Sequence, residues 1–137
     1  MDRLRVPVEE FTTPNPITAN EDTSIEDLRS LMAEHGIRHL PIVNGNRVVG
    51  IISDRDLRVI AGLDLREKSL VSAKDIMAED PFTVSSEATL DEVAFEMSNR
   101  KIGSVIVNEG NSFLGIFTAT DALNALIEVT RAIRDGK

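Results

Sequence analysis

The chain has 137 residues and a formal net charge of −8 at pH 7, which leaves room for one ordinary domain or two very small ones. With 42% hydrophobic and 28% charged residues it is not an extended disordered chain, and its acidic balance argues against DNA or RNA as a partner. The absence of cysteine excludes disulfides, thiol catalysis and cysteine-ligated metals, and the five Phe, without Trp or Tyr, offer few rings for stacking bases.

The first predicted elements are a short extended segment over residues 16–19 and an amphipathic helix. Thr23 and Glu26 have the spacing of a capping box, which predicts that the helix opens there. Gly36 stands where a helix end favours a left-handed residue. The apolar side chains that would share one face of this helix are Ile25, Leu28 and Met32.

A hairpin and a second helix follow. Residues 37–43 predict a strand, residues 44–45 a tight turn, and residues 47–52 the returning strand. The second helix is expected to begin near Ser53 and to end near Gly62. Beyond it, the charged residues 64–71 resemble a linker, and residues 72–77 predict a turn or a short helix.

The remainder of the chain repeats these elements. A shift of 65 residues places 15–59 on 80–124 without a gap, and nine of the 45 pairs are identical, where roughly three would be expected by chance. The second copy predicts strands over 102–107 and 113–117 and a final helix from 118 to about 133. The identical pairs are Pro16/Pro81, Thr18/Thr83, Met32/Met97, Ile37/Ile102, Gly45/Gly110, Asn46/Asn111, Gly50/Gly115, Ile51/Ile116 and Asp56/Asp121.

The best-kept part of the repeat is a glycine, two apolar residues, a hydroxyl residue and, three positions later, an aspartate. It runs from Gly50 to Asp56 and again from Gly115 to Asp121. A strand that ends at a hydroxyl residue and leads into a helix can hold a sugar phosphate, because the helix start attracts phosphate and a carboxylate accepts hydrogen bonds from a diol. The same spacing also caps a helix, with a contribution of about 1 kcal/mol, so both interpretations stay open.

Together these motifs resemble a tandem pair of cystathionine-β-synthase (CBS) domains. The resemblance rests on the doubled glycine-to-aspartate motif, the strand over 37–43, and the segment 75–77 before Asp80 and Pro81, and it covers roughly residues 8–134. It implies an α/β (α+β) fold of two β-α-β-β-α repeats, residues 8–70 and 71–137, packed sheet to sheet with pseudo-twofold symmetry. It also implies two clefts that can each take an adenine nucleoside or nucleotide.

Site residues follow from the resemblance, position by position. In the first cleft the ribose would contact Ser53 and Asp56, the phosphate would contact Arg38, His39 and Arg55, and the adenine would be lined by Ser72, Ile76 and Ile102. In the second cleft the ribose would contact Thr118 and Asp121, Thr120 would lie near the phosphate, and Phe11 and Ile37 would form apolar walls.

The two clefts are not expected to be equivalent. Where the first copy has Arg38, His39 and Arg55, the second has Gly103, Ser104 and Thr120. Residues 36–74 also carry a net charge of +3, whereas the flanking parts carry −5 and −6. The first cleft is therefore suited to a phosphorylated ligand, and the second is expected to be weak, empty or suited to an uncharged nucleoside.

No catalytic motif accompanies these features, so we expect a regulatory module rather than an enzyme. The expected ligand is AMP, ADP or ATP, in a role such as energy sensing. Two alternatives remain, a structural or dimerisation module without a nucleotide and a binder of an S-adenosyl ligand. His35 and His39 lack a third ligand, so no metal is expected.

We expect a homodimer acting on an unknown target protein, with neither nucleic acid nor membrane as a partner. No apolar run is long enough to span a bilayer, and the N-terminus lacks the apolar segment of a signal peptide. These features favour a cytoplasmic location.

Overall fold

A computed structural model describes residues 5–136 and divides them into two compact units. The repeat-1 unit comprises Pro16–Pro81. The repeat-2 unit comprises residues 5–15 together with 82–136. Among the described residues, no helix is long and apolar enough to cross a membrane.

The chain contains both helices and strands in each half, as the sequence predicts. After a 3-10 turn at Val8–Phe11, the elements in chain order are β1 (Thr13–Pro14), β2 (Ala19–Asn20), α1 (Ile25–His35), β3 (His39–Asn44), β4 (Arg47–Ser53), α2 (Asp54–Val59), α3 (Leu65–Ser69), α4 (Ala73–Ile76), β5 (Ala78–Glu79), β6 (Thr83–Ser85), α5 (Leu90–Arg100), β7 (Ser104–Glu109), β8 (Ser112–Thr118) and α6 (Ala119–Arg134).

Each unit contains one four-stranded mixed sheet. The strand order is β2-β3-β4-β5 in the repeat-1 unit and β6-β7-β8-β1 in the repeat-2 unit. In both sheets the first pair is parallel and the other two pairs are antiparallel. The predicted mixed α/β repeat, strand-helix-strand-strand-helix, is confirmed in both copies.

The fourth strand of each sheet comes from the segment that leads into the other repeat. β1 precedes repeat 1 but pairs with β8, and β5 precedes repeat 2 but pairs with β4. The 65-residue shift also relates β1 to β5 and the 3-10 turn to α4, so the duplication reaches upstream to these segments. The compact units therefore divide the chain differently from the sequence ranges 8–70 and 71–137.

The glycines of the repeated motif allow these fourth strands to approach. A Cβ on Gly50 would stand 3.0 Å from the Ala78 carbonyl oxygen and inside contact distance of the Met77 sulfur. A Cβ on Gly115 would collide with the Thr13 carbonyl oxygen. Only glycine leaves room for a backbone at this distance, so the motif glycine has a structural role in each sheet.

Each sheet packs its apolar face on the helices of its own unit. Completely buried side chains at such positions each contribute about 1.5–3 kcal/mol relative to exposure. The predicted apolar stripe of α1 is buried, and the matching stripe of α5 is buried at Val93 and Met97. The best-buried residues of the two cores are Ile25, Leu28, Leu40, Ile42 and Ile52 in the repeat-1 unit and Val8, Val93, Val105, Val107 and Phe117 in the repeat-2 unit.

Two local predictions need correction. The N-cap of α1 is Ser24, which accepts a hydrogen bond from the Asp27 N–H, whereas the Thr23 hydroxyl bonds with Asn20 in the preceding turn. Residues 64–71 are not an irregular linker, because Asp64 and Glu67 form a reciprocal capping box that opens α3.

Candidate functional site

The two repeated motifs form the same strand-to-helix junction. At the end of β4, the Ser53 N–H donates to Asp56 Oδ2 at 2.8 Å, and the Asp56 N–H donates to Ser53 Oγ at 3.2 Å. At the end of β8, the Thr118 N–H donates to Asp121 Oδ2 at 2.9 Å, and the Asp121 N–H donates to Thr118 Oγ1 at 3.4 Å. Both aspartates therefore cap the helix that they begin.

Capping uses only one oxygen of each carboxylate. Among the residues that the structure describes, Asp56 Oδ1 has no hydrogen-bond partner, and the side chain is half-buried. Asp121 Oδ1 accepts a long bond, 3.5 Å, from the Thr13 hydroxyl, whose counterpart in the other repeat is Ala78. Because a carboxylate oxygen accepts two hydrogen bonds, Asp56 can cap α2 and still bind a diol. The capping and binding interpretations are compatible at Asp56.

His39 lies beside this junction. It is directly opposite Ser53 in the β3–β4 register and is half-buried. Burial holds the pKa of His39 below its ordinary value, Asp56 acts in the opposite direction, and Arg38 adds to the lowering. The imidazole is therefore largely neutral at pH 7, and it can donate a hydrogen bond from one nitrogen while accepting one at the other.

Arg38 and Arg55 are exposed, and Arg38 faces an open groove between α1 and α2. The groove has a volume of about 600 Å³, and Arg29 and Arg58 line it as well. Sequence reasoning missed Arg29 and Arg58. Arg58 belongs to the net positive stretch of residues 36–74, and this charge could have indicated that Arg58 lies near the site. Nothing in the local sequence indicates that Arg29 lies beside Arg58.

The predicted adenine-lining residues of the repeat-1 unit lie in its last helix. Ser72 is the N-cap of α4 and forms a bridge with Ser24. Hydrogen bonds from the backbone and hydroxyl of Ser72 hold the pKa of Asp75 below its usual value. Ile76 is half-buried at the edge of the core and keeps part of its surface accessible.

The remaining predicted residues are divided between the units. Phe11 and Ile102 pack at the edge of the repeat-2 core, and Thr120 is exposed in the first turn of α6. Ile37 packs at the edge of the repeat-1 core. Ile102 therefore belongs to a different unit from Ser53 and Asp56.

The described residues contain no group of three or more His, Asp or Glu side chains placed to hold a metal ion. The chemistry of the repeat-1 junction is thus that of a carboxylate oxygen, a neutral imidazole and exposed guanidinium groups. These are the groups that hold a sugar and a phosphate.

Comparisons with known proteins agree with this organisation. The family model described as "CBS domain" matches residues 8–61 and 73–128. The inosine-5'-monophosphate dehydrogenase of Korarchaeum cryptofilum is 37% identical over 114 residues, which cover 82% of this chain but 23% of that protein. The chain spans less than half the length of the curated relatives first matched.

Two solved structures resemble most of the chain. The protein AcuB from Vibrio cholerae superposes with a TM-score of 0.85 at 29% identity, covering 98% of this chain and 99% of that one. The CBS domain pair of MJ0100, in complex with 5'-methylthioadenosine and S-adenosyl-L-methionine, gives a TM-score of 0.77 at 28% identity, covering 91% and 98%. With a doubled motif, a doubled sheet and both halves matched, this chain belongs to the CBS-domain family.

Proposed function

We propose that the protein is a regulatory module that binds an adenine nucleotide at the repeat-1 junction and has no catalytic activity of its own. AMP, ADP and ATP are the candidate ligands. The observation that carries the proposal is Asp56 Oδ1, which has no hydrogen-bond partner among residues 5–136 and lies at the junction beside His39. Arg38 and Arg55 are exposed neighbours of His39 and Asp56 in sequence. Oxygen acceptors suit the ribose hydroxyls, and guanidinium groups suit phosphate.

In this proposal each residue has a defined role. Ser53 and Asp56 bind the ribose, and Ser72 and Ile76 line the adenine. Arg38, His39 and Arg55 bind the phosphate, with His39 as a neutral donor. The repeat-2 junction, with Thr118, Thr120 and Asp121, takes an uncharged adenosine group weakly, because its aspartate already bonds with Thr13.

An S-adenosyl ligand is the second candidate, and the MJ0100 pair supports it because that structure contains two adenosyl compounds without phosphate. Both an adenine nucleotide and an S-adenosyl ligand contain adenosine, so the ribose and adenine contacts do not distinguish them. The basic residues of the repeat-1 junction favour the nucleotide, since an S-adenosyl ligand already carries a positive charge at its sulfur.

Regulation would follow from differential binding. A ligand shifts a conformational equilibrium only if it binds one state better than another. We propose that the nucleotide stabilises one state of a homodimer and so changes the activity of a separate target protein. The target is unknown.

Isothermal titration of the protein with AMP, ADP, ATP and S-adenosylmethionine tests the proposal. Asp56→Ala removes both the ribose acceptor and a cap, so we expect it to lower nucleotide affinity at least tenfold and stability by about 1 kcal/mol. Asp64→Ala is the matched control, because it removes a cap of α3 in the same unit and should leave affinity unchanged. Failure of the native chain to bind any of these ligands would leave only a structural module, and unchanged nucleotide affinity in Asp56→Ala would overturn the assignment of the site to this junction.

A further inference from the structure

We propose that the groove lined by Arg29, Arg38 and Arg58 binds the outer phosphates of the nucleotide, so that the repeat-1 site prefers a triphosphate to a monophosphate. We refer to it as the arginine groove. The inference rests on the proposed function, and it names the ligand class of that same site. Arg38 is shared between the junction and the groove, whereas Arg29 and Arg58 lie outside the junction.

The arginine groove concentrates positive charge in a chain whose net charge is −8. Among the described residues, the side chains of Arg29 and Arg38 make no ion pair or hydrogen bond. Asp54 is the one acidic side chain in the groove lining, and its carboxylate is paired with Arg58 at 3.4 Å. Asp54 therefore does not offset the charges of Arg29 and Arg38, and two guanidinium groups remain available for an anion.

The groove adjoins the junction at the start of α2. The Arg38 carbonyl oxygen accepts a hydrogen bond from the Asp54 N–H at 2.8 Å, which holds the base of the Arg38 side chain against that turn. A ribose at Asp56 would place its first phosphate near His39 and Arg55. Further phosphates would then pass Arg38 into the groove, whose volume of about 600 Å³ lies in the range of small-molecule sites.

The second repeat lacks the three arginines of the groove. The positions that correspond to Arg29, Arg38 and Arg58 are Ala94, Gly103 and Leu123, none of which carries a charge. The lining residue Gly36 corresponds to Lys101, so the second repeat has one cation at these positions where the first has three arginines, and the duplicated helix faces have diverged in charge.

Titration of the full chain with AMP and ATP tests the inference. Arg29→Ala is the main variant, because Arg29 is exposed on α1 and alanine is compatible with a helix. We expect ATP to bind the native chain more tightly than AMP, and Arg29→Ala to weaken ATP about fivefold while AMP changes less than twofold. Arg66→Ala, an exposed arginine on α3, is the control and should change neither.

Inorganic triphosphate is the second probe, because it can occupy the groove without a ribose site. We expect it to bind the native chain and Asp56→Ala alike and to bind Arg29→Ala more weakly. If the protein binds inorganic triphosphate but binds none of the adenine ligands, the result would support the groove and refute the proposed function. Equal losses of AMP and ATP in Arg29→Ala, or no triphosphate binding, would overturn the inference and leave the proposed function standing.

Discussion

The junctions after β4 and β8 have the same backbone hydrogen bonds but different surroundings. Both aspartates cap their helices through Oδ2. At the first junction the second oxygen has no partner among the described residues and His39 lies nearby, whereas at the second junction this oxygen accepts a hydrogen bond from the Thr13 hydroxyl. Duplication thus preserved the structural half of the motif in both copies, and the groups available to a ligand diverged.

The largest expected difference between the repeats concerns the motif glycines. Gly115→Ala would force a Cβ into the backbone of β1, and we expect it to destabilise the protein by about 3 kcal/mol in urea unfolding. Gly50→Ala should cost about 1–2 kcal/mol, because the Met77 side chain can move aside and the Ala78 carbonyl oxygen, at 3.0 Å, needs only a small shift.

Gly62→Ala is the control for both variants, since no atom lies within 4 Å of its added Cβ. We expect its free energy of unfolding to stay within about 0.5 kcal/mol of the native value. Equal losses in Gly50→Ala and Gly115→Ala would contradict the difference in clearance, since the added Cβ would stand 3.0 Å from the Ala78 carbonyl oxygen at Gly50 but collide with the Thr13 carbonyl oxygen at Gly115.

A smaller difference is expected at the ends of α1 and α5. Both helices end in a left-handed residue, Gly36 with φ 62° and Lys101 with φ 57°. Lys101→Gly should therefore stabilise the protein by about 0.5–1 kcal/mol, and Gly36→Lys should destabilise it by about 1 kcal/mol. Thermal unfolding of the two single variants measures both effects, and a loss of stability in Lys101→Gly would contradict the prediction.

The smallest expected effect is the pH dependence that His39 confers. Its folded pKa lies below the ordinary 6.5 because of burial, so the unfolded chain binds the proton more readily. Stability from this residue is complete above pH 6.5 and is lost as the pH falls through the folded pKa. His39→Ser, which introduces the residue found at the equivalent Ser104, should flatten the stability profile below pH 6.5 relative to the native chain. If the pH dependence of stability in His39→Ser equals that of the native chain, the prediction is wrong.

Most helices, strands and helix caps could be predicted from the spacing of residues close together in the sequence. The two hairpins, the short helix over 72–77 and the final helix were predicted nearly correctly, because each depends on residues close together in sequence. The first turn lies at residues 45–46, one position later than predicted, and α2 ends at Val59 rather than near Gly62. The start of α1 was placed one residue too early, since both Thr23 and Ser24 can cap and the turn at Asn20 selected Ser24. α3 was missed because its charged sequence resembles a linker.

The sequence by itself determined the duplication, the mixed α/β repeat and the capping chemistry of Asp56 and Asp121, because these depend on spacing along the chain. Tertiary structure decided that β1 completes the sheet of the repeat-2 unit and β5 that of the repeat-1 unit. These pairings are the reason that Gly50 and Gly115 must be glycine. Tertiary structure also decided that Arg29 joins Arg38 and Arg58 in one groove. Such contacts bring together residues distant in sequence, and packing of whole elements, rather than local preference, selects them.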